Sequence, residues 1–481
     1  MGIRLSEHKS FTVSRITEGE EILDNDLLFL KLSEPSYELF KDVKSKPYNS
    51  NGNSYAVKEE AGFYSIKADY YVGLDWLGNT GRTVCVEPKI NPGLTEYFND
   101  CLESDENSSE EYTADYRVEQ VEVNYLDLLL QIMSLPKTAE ASEGVIRIDW
   151  EAKYIRIDRK DDRLTPFLIV QFLQVLKAIV RKGLKKSYYK VRANLNNRAK
   201  GKILVGEHIR QNVFKSRFTS TFCEFQVFGA DHIENRFLKK VLQFAVSYIE
   251  NNEFLFSSNI DSVKNIVSYC RPAFELIGED IEEKYLKNIN LNPFFNEYKE
   301  ALRIGQFILK RFSYNITKTA QQKTETPPFW IDMPQLFELY FYYQLLKANP
   351  SDEKYIHYQF STYGNSLDIL ISKPGFEMII DAKYKLKYNK SHIHQDIRQV
   401  SGYARLKKVI HQIKADNPEW EENKTIDCLI IYPELKMPSE QPHESPGKFS
   451  LENIKKQFRN PENQIMAYDK VFKLGISLPV L

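Results

Sequence analysis

The sequence predicts an α/β protein, more fully a multidomain α+β chain, and three observations lead there. Short apolar runs separated by turn residues recur as far as about residue 95. Helical apolar spacing dominates residues 122–325, and beyond residue 329 helical and strand-like segments alternate. At 481 residues the chain is too long for one hydrophobic core, so about two to three domains are expected. We place them at 1–121, a β-rich N-terminal domain with an acidic loop; 122–326, a mainly helical middle region with a basic finger; and 327–481, a small mixed sheet flanked by helices.

Composition narrows the class. Apolar residues make up 42% and charged residues 27% of the chain, as in soluble globular proteins. The net charge of -1 means that any nucleic-acid surface must be a local patch. Five scattered cysteines, Cys85, Cys101, Cys223, Cys270 and Cys428, lack metal-binding spacing and read as reduced thiols. No N-terminal signal pattern is seen, and no run approaches the roughly 18 apolar residues of a membrane span. A cytoplasmic protein with no membrane partner is the expectation.

In the first domain, Phe11–Val13, Ser54–Val57, Tyr64–Ile66 and Tyr70–Leu74 are short strands, and Thr83–Ile90 follows a turn at Leu77–Gly81. They suggest a small barrel or twisted sheet. From Asp100 to Glu119 eight acids and one Arg mark a solvated loop.

The middle region opens with helices at Tyr125–Ser134 and from Thr165-Pro166 to Lys182, the second ending at Gly183. Arg181 to Arg217 then holds twelve Lys or Arg and one acid, Glu207. Its polar centre, from Arg192 through Asn196 and Arg198 to Lys202, does not read as a packed helix. A solvated basic face and a phosphate-tracking surface that guides DNA are both compatible with it. Asp231–Glu234 has the form of a capping box and starts a helix with Phe237, Val241, Leu242, Ala245, Tyr248 and Ile249 on one stripe; His232 reads as a surface residue. Another helix spans about Phe295 to Phe312, and Lys318 to Pro328 reads as a polar hinge.

The C-terminal domain carries the chemistry. Asp332 and Pro334 mark a helix start, and Glu338 then sits in a nearly all-apolar helix where a lone carboxylate needs a partner or a metal. Two apolar runs, Ser366–Ile371 and Met378–Lys383, flank Lys373-Pro374-Gly375 and read as a β-hairpin. The hairpin carries Asp368 on one strand and Asp381 with Lys383 on one face of the other. Carboxylates brought together across a hairpin repel unless a cation lies between them. Oxygen ligands suit Mg²⁺, with Mn²⁺ as a substitute ion, and a nearby lysine orients the attacking water and offsets phosphate charge. Gln399 and Tyr403 share one helix face. From Lys383 to Lys414 nine Lys or Arg face one acid, Asp396, a phosphate-suited charge pattern. His392 and His394 are spaced too poorly for a strong zinc site. A strand at Ile426–Tyr432, a loop at Glu434–Ser450 and an edge strand within Tyr468–Leu481 complete the chain.

Asp368, Asp381-Ala382-Lys383, helical Glu338 and Gln399-x-x-x-Tyr403 together resemble the PD-(D/E)xK nuclease core in its RecB-like version, with Leu367 where a proline is usually written. The stretches Phe329–Met333, Ile380–Tyr384, Leu429–Pro433, Gly201–Ile203 and Glu234–Lys239 extend the likeness. Over roughly residues 80–435 their order and spacing resemble the McrC family, the nuclease subunits of McrBC-type modification-dependent restriction systems; the first eighty residues match least.

This resemblance implies a Mg²⁺-dependent endonuclease subunit that cleaves modified (methylcytosine) double-stranded DNA together with an McrB-like AAA+ GTPase hexamer. It implies Asp368 and Asp381, with the Ala382 carbonyl, as metal ligands, Lys383 acting on the attacking water, and Glu338 as a further acid. Gln399, Tyr403, Lys385 and Arg398 would orient the site or contact DNA. It also implies a projecting stalk in the pore of the GTPase ring, with Arg192, Asn196, Arg198 and Lys202 as candidate contacts that stimulate GTP hydrolysis. The chain has no G-x-x-x-x-G-K-[ST] phosphate loop of its own. The N-terminal domain as a modified-base reader, a stand-alone RecB-like exonuclease, and a non-catalytic adaptor of a ring NTPase are the competing readings.

Overall fold

The computed structural model describes residues 2–16, 20–49, 52–60, 62–90, 121–142, 144–158, 162, 164–256, 259–279, 281, 296–312, 323–362, 365–384, 390–421, 424–434, 448–465 and 467–480. The fold is α+β and multidomain, as the sequence predicts. The acidic run 100–119 and Cys101 lie outside the described residues; Cys223, Cys270 and Cys428 carry free thiols. The chain forms two compact units, one of Met1–Ile155 with Pro327–Leu481 and one of Arg156–Thr326.

In the first unit, alternating inward residues such as Phe11 and Val13 of strand Ser10–Arg15 build a half-buried surface in a mixed sheet, parallel to Phe29–Leu32 and antiparallel to Phe63–Ala68. A six-stranded sheet runs in the order Ile22–Asp24, Phe29–Leu32, Ser10–Arg15, Phe63–Ala68, Gly52–Glu60, Lys46–Asn49. A five-stranded sheet follows the order Ile3–Ser6, Thr83–Glu87, Tyr71–Trp76, Phe329–Asp332, Ile146–Ile148. Phe11, Val13, Leu30, Ile66, Val84 and Trp330 belong to one core between them. A twisted open pair of sheets therefore replaces the expected single barrel or sheet.

Two boundaries shift. Phe329–Asp332, expected to open the C-terminal domain, pairs Ile331 with Val72 and Ile146 inside the N-terminal sheet. Residues 122–155, grouped by composition with the middle region, belong to the first unit because the apolar helix Tyr125–Ile132 packs on the helix Met333–Ala348. Local composition carries no record of a strand that the distant part of the chain supplies.

The C-terminal part of this unit has its own sheet, ordered Ile356–Thr362, Asn365–Ile371, Met378–Ala382, Asp427–Glu434, Val471–Ser477. The first three strands are antiparallel and the last two join in parallel. Leu429, Ile430 and Ile431 are fully buried, the continuous apolar run of a strand covered on both faces. Val471–Ser477 forms the edge, in the region expected.

The second unit departs most from expectation. Its helices, Leu164–Lys182, Ile233–Asn251, Ile260–Cys270 and Asn296–Arg311, fall where helical spacing puts them. The basic block, however, is a long ribbon: Ser187–Asn196 pairs antiparallel with Ser220–Gly229 from Ser187↔Gly229 to Asn196↔Ser220, and Lys202–Ile203 joins the second strand. Burial alternates along Ser187–Asn196, with Tyr189, Val191, Ala193 and Leu195 turned inward and Lys190, Arg192, Asn194 and Asn196 exposed, a period-2 pattern that the reading of this block by its charge alone passes over. Gly201 is obligatory here, because it has φ +70° and a Cβ would lie 2.4 Å from the Glu224 carbonyl. Helix Leu164–Lys182 is long and apolar enough to span a membrane by length and composition, against the sequence reading. Its Leu168, Ile169, Phe172 and Leu173 are instead buried, and it packs on Asn296–Arg311 and Ile260–Cys270 as a core helix.

Two buried polar contacts give testable stability differences. Arg311 Nη2 donates to Asp162 Oδ1 at 2.8 Å, Nε to Thr165 Oγ1 at 3.1 Å and Nη1 to Thr326 Oγ1 at 2.9 Å. Leaving one charge of such a pair buried alone costs about 3–5 kcal/mol, so Arg311→Leu should lower the unfolding free energy of this unit, measured in urea, by that much, and restoring an apolar partner with Asp162→Leu should recover part of it. In the first unit Glu7 is buried, and burial pushes its carboxyl from 4.5 up to about 8. The folded chain thus keeps a proton that the unfolded chain releases, and stability falls as pH rises from 4.5 to about 8. Glu7→Gln should remove up to about 4 kcal/mol of that loss. An equal loss of unfolding free energy between pH 5 and pH 8 for both proteins, read from denaturant titrations, would contradict it.

Candidate functional site

Sheet register builds the site. Ile369 pairs with Ile380 and also with Tyr358. The neighbouring positions therefore align Gln359, Asp368 and Asp381 in one row across three strands. The Ala382 N–H donates to Asp368 Oδ2 at 2.6 Å. Lys383 Nζ pairs with Asp381 Oδ2 at 2.8 Å and donates to Gln399 Oε1 at 3.2 Å. Gln399 Nε2 in turn donates to the Tyr403 hydroxyl at 2.7 Å. The helix Lys390–Tyr403 thus holds the lysine from the side opposite the sheet.

Glu338 enters from the helix Met333–Ala348, whose N-cap Asp332 accepts from the Gln335 N–H at 3.1 Å. Burial, then the Asp368 charge, and more weakly Asp381, push Glu338 up to about 8. Its Oε1 is buried without a hydrogen-bond partner among the described residues, while Tyr358 and Gln359 bond to the carboxyl. Asp368 rises to about 7, first through burial and then through Asp381, against the Ala382 N–H. Burial pulls the Lys383 ammonium down, but Asp381 beside it more than offsets this and holds it above the ordinary lysine value.

These carboxylates fit a hard divalent cation. Among the described residues no three His, Cys, Asp or Glu side chains form a ready-made metal cage. Mg²⁺ does not need one, since it takes one or two carboxylates and completes its shell with water and phosphate oxygens. Facing carboxylates that resist ionisation together, and an orphaned Glu338 oxygen, supply the donor chemistry.

Asp368, Asp381, Ala382, Lys383, Glu338, Gln399 and Tyr403 are therefore brought together. Arg398 is exposed on the helix beside Gln399, and Lys385 lies outside the described residues. Tyr358 and Gln359 were missed by sequence reasoning. Their one signal is the strand-like run Ile356–Phe360; nothing local announces that Gln359 adopts φ 45° opposite Asp368.

The ribbon residues lie in the second unit. Arg192 is engaged on the ribbon itself, its Nε donating to Glu224 Oε2 at 2.8 Å. Asn196 accepts from Ser220 Oγ at 2.7 Å. Arg198 and Lys202 are exposed. The far end also exposes Val205, Val213, Phe214 and Phe218, the two phenylalanines by about four fifths. At the root, buried Asn235 donates to the carbonyls of Lys185 at 3.0 Å and Ala230 at 2.7 Å, just outside the two long strands. Tyr298 donates to Asn235 Oδ1 at 2.8 Å. His232, read from sequence as a surface residue, is buried in this clamp with Nε2 2.9 Å from the Lys185 carbonyl.

No curated protein matches the chain significantly. Solved structures that match include a refined half-complex from a tetradecameric assembly of Thermococcus gammatolerans McrB AAA+ hexamers with bound McrC. That match has 14% identity and a TM-score of 0.31, and covers 99% of this chain and 94% of that one. The Thermococcus gammatolerans McrBC complex matches at 14% identity and a TM-score of 0.27, covering 72% of this chain and 88% of that chain. The family described as "McrBC 5-methylcytosine restriction system component" matches residues 66–412, well over half of the sequence. The chain belongs to the McrBC family of restriction-system components.

Proposed function

We propose that this chain is the McrC-like nuclease subunit of the system, cleaving 5-methylcytosine-bearing double-stranded DNA with Mg²⁺ and in concert with an McrB-like AAA+ GTPase. The observation that supports the reading is the single row of Asp368 and Asp381 with Lys383 locked beside them at 2.8 Å. A structural sheet gains nothing from two buried facing carboxylates, whereas phosphodiester hydrolysis uses both.

Asp368 and Asp381, with the Ala382 carbonyl alongside, would hold the ion. Bound there, Mg²⁺ supplies Lewis-acid polarisation of the phosphate and a more acidic water. Lys383 is kept protonated by Asp381, so its ammonium orients the nucleophile and offsets charge on the phosphate rather than acting as a base. Gln399 and Tyr403 fix that ammonium. Glu338 completes the set: among the described residues its Oε1 has no hydrogen-bond partner, and it can accept a hydrogen bond or proton within the site. The basic stretch from Lys383 to Lys414 provides the attraction for DNA.

The exposed apolar and basic end of the ribbon is the contact we assign to the GTPase. Large aromatic side chains left in water mark interaction surfaces, and the family is one of multi-component systems. Arg198 and Lys202 are among the exposed cations there, with Lys200, Arg210, Lys215 and Arg217, and are the ones we assign to a nucleotide site; Arg192, paired with Glu224, is the weaker candidate.

Methylated and unmethylated plasmids, incubated with the chain, its operon GTPase, GTP and Mg²⁺, test this. Wild type should cut methylated DNA alone, and Asp381→Ala or Asp368→Ala should lower the rate at least about 10³-fold. Equal cutting by Asp381→Ala would overturn the assignment. Phe214→Asp with Phe218→Asp should abolish co-purification with the GTPase at an interface anchored by aromatics. Arg198→Ala or Lys202→Ala should retain binding but reduce stimulated GTP hydrolysis; unchanged binding by the double aspartate variant would place the contact elsewhere.

A further inference from the structure

The N-terminal β-strands reach the proposed hydrolytic centre at two points. Helix Met333–Ala348, which carries Glu338, starts directly from Phe329–Asp332, a strand of the N-terminal sheet. Its first N–H, at Met333, donates to the Tyr70 carbonyl at 3.3 Å. The second point is Tyr384, the residue after Lys383. Lys383 N–H is tied to the Ile431 carbonyl at 2.8 Å, and the buried Tyr384 hydroxyl donates to Glu7 Oε2 at 3.0 Å. Glu7 follows the first strand, Ile3–Ser6, and its own N–H donates to the Glu87 carbonyl. The Tyr384 ring also lies 6.0 Å from that of Phe337, the neighbour of Glu338.

Burying a carboxyl with one tyrosine donor is a poor way to gain stability, and among the described residues Glu7 Oε1 has no hydrogen-bond partner. What the contact does provide is a directional link. It fixes the end of the strand bearing Asp381 and Lys383 against the same sheet that launches the Glu338 helix.

We infer that Glu7 and Tyr384 are positioning residues, through which the N-terminal sheet sets the spacing between Lys383 with Asp381 on one side and Glu338 on the other. This rests on the nuclease reading above. It gives residues 2–90 a part in catalysis distinct from base reading, one carried by geometry rather than by DNA contact.

The test uses the full chain with its GTPase, GTP, Mg²⁺ and methylated DNA, and follows single-turnover cleavage, half-saturating DNA concentration and stimulated GTP hydrolysis. Displacing catalytic groups by a fraction of an ångström to about 1 Å costs up to about 10²-fold in rate. Tyr384→Phe, which removes one oxygen, and Glu7→Ala should therefore slow cleavage by about tenfold or more, with DNA half-saturation and GTP hydrolysis unchanged. Glu7→Gln keeps an acceptor for the tyrosine and should restore most of the rate. Wild-type cleavage by Tyr384→Phe overturns the inference, as does an equal fall in cleavage and GTP hydrolysis, which would mean a folding role. Failure of the nuclease reading itself is read separately, as undiminished cutting by Asp381→Ala.

Discussion

Two carboxylates forced to face each other in a buried sheet are the constraint on which the rest of the first unit turns. The pairing of Ile369 with Ile380 leaves Asp368 and Asp381 opposite each other, and each neighbouring element answers that repulsion. The Ala382 N–H bonds to Asp368, Lys383 neutralises Asp381, and Gln399 with Tyr403 steadies Lys383. Glu338 adds a third acid from the adjoining helix, and burial with the neighbouring charges makes it and Asp368 reluctant to ionise. Local conflicts of this kind are what a fold accepts at a functional site and avoids elsewhere.

Much of this centre was legible in the sequence because its signals are local. The Lys373-Pro374-Gly375 turn between two apolar runs gives the hairpin, Asp332 and Pro334 give the helix start, and the spacing of Gln399 and Tyr403 gives a shared face. Other features depend on partners far away in the chain. Phe329–Asp332 reads as the start of a new domain and becomes the fourth strand of the N-terminal sheet. Gln359 owes its place to register. The ribbon was read as basic and not as β: Tyr189 to Asn196 does alternate between apolar and polar residues, but the partner strand Ser220–Gly229 lies far along the chain and the density of Lys and Arg dominates the local pattern. His232 looked exposed because a histidine beside a helix start usually is; the Lys185 carbonyl buries it.

The two units divide the labour in physical terms. The first contains the acids, the lysine and the sheet that holds them. The second presents a ribbon whose far end is apolar, basic and exposed, and whose root is held by Asn235 through the Lys185 and Ala230 carbonyls that flank the two strands.

The central claim is that Asp368 and Asp381 hold a divalent cation, and its most direct test is anomalous diffraction from Mn²⁺-soaked crystals of the chain with a DNA duplex. The account predicts one anomalous peak between the two carboxylates within ligand distance of both, and its loss in Asp381→Ala crystals. A peak that stays in the variant, or manganese bound only elsewhere while the hairpin is ordered and bare, would contradict it.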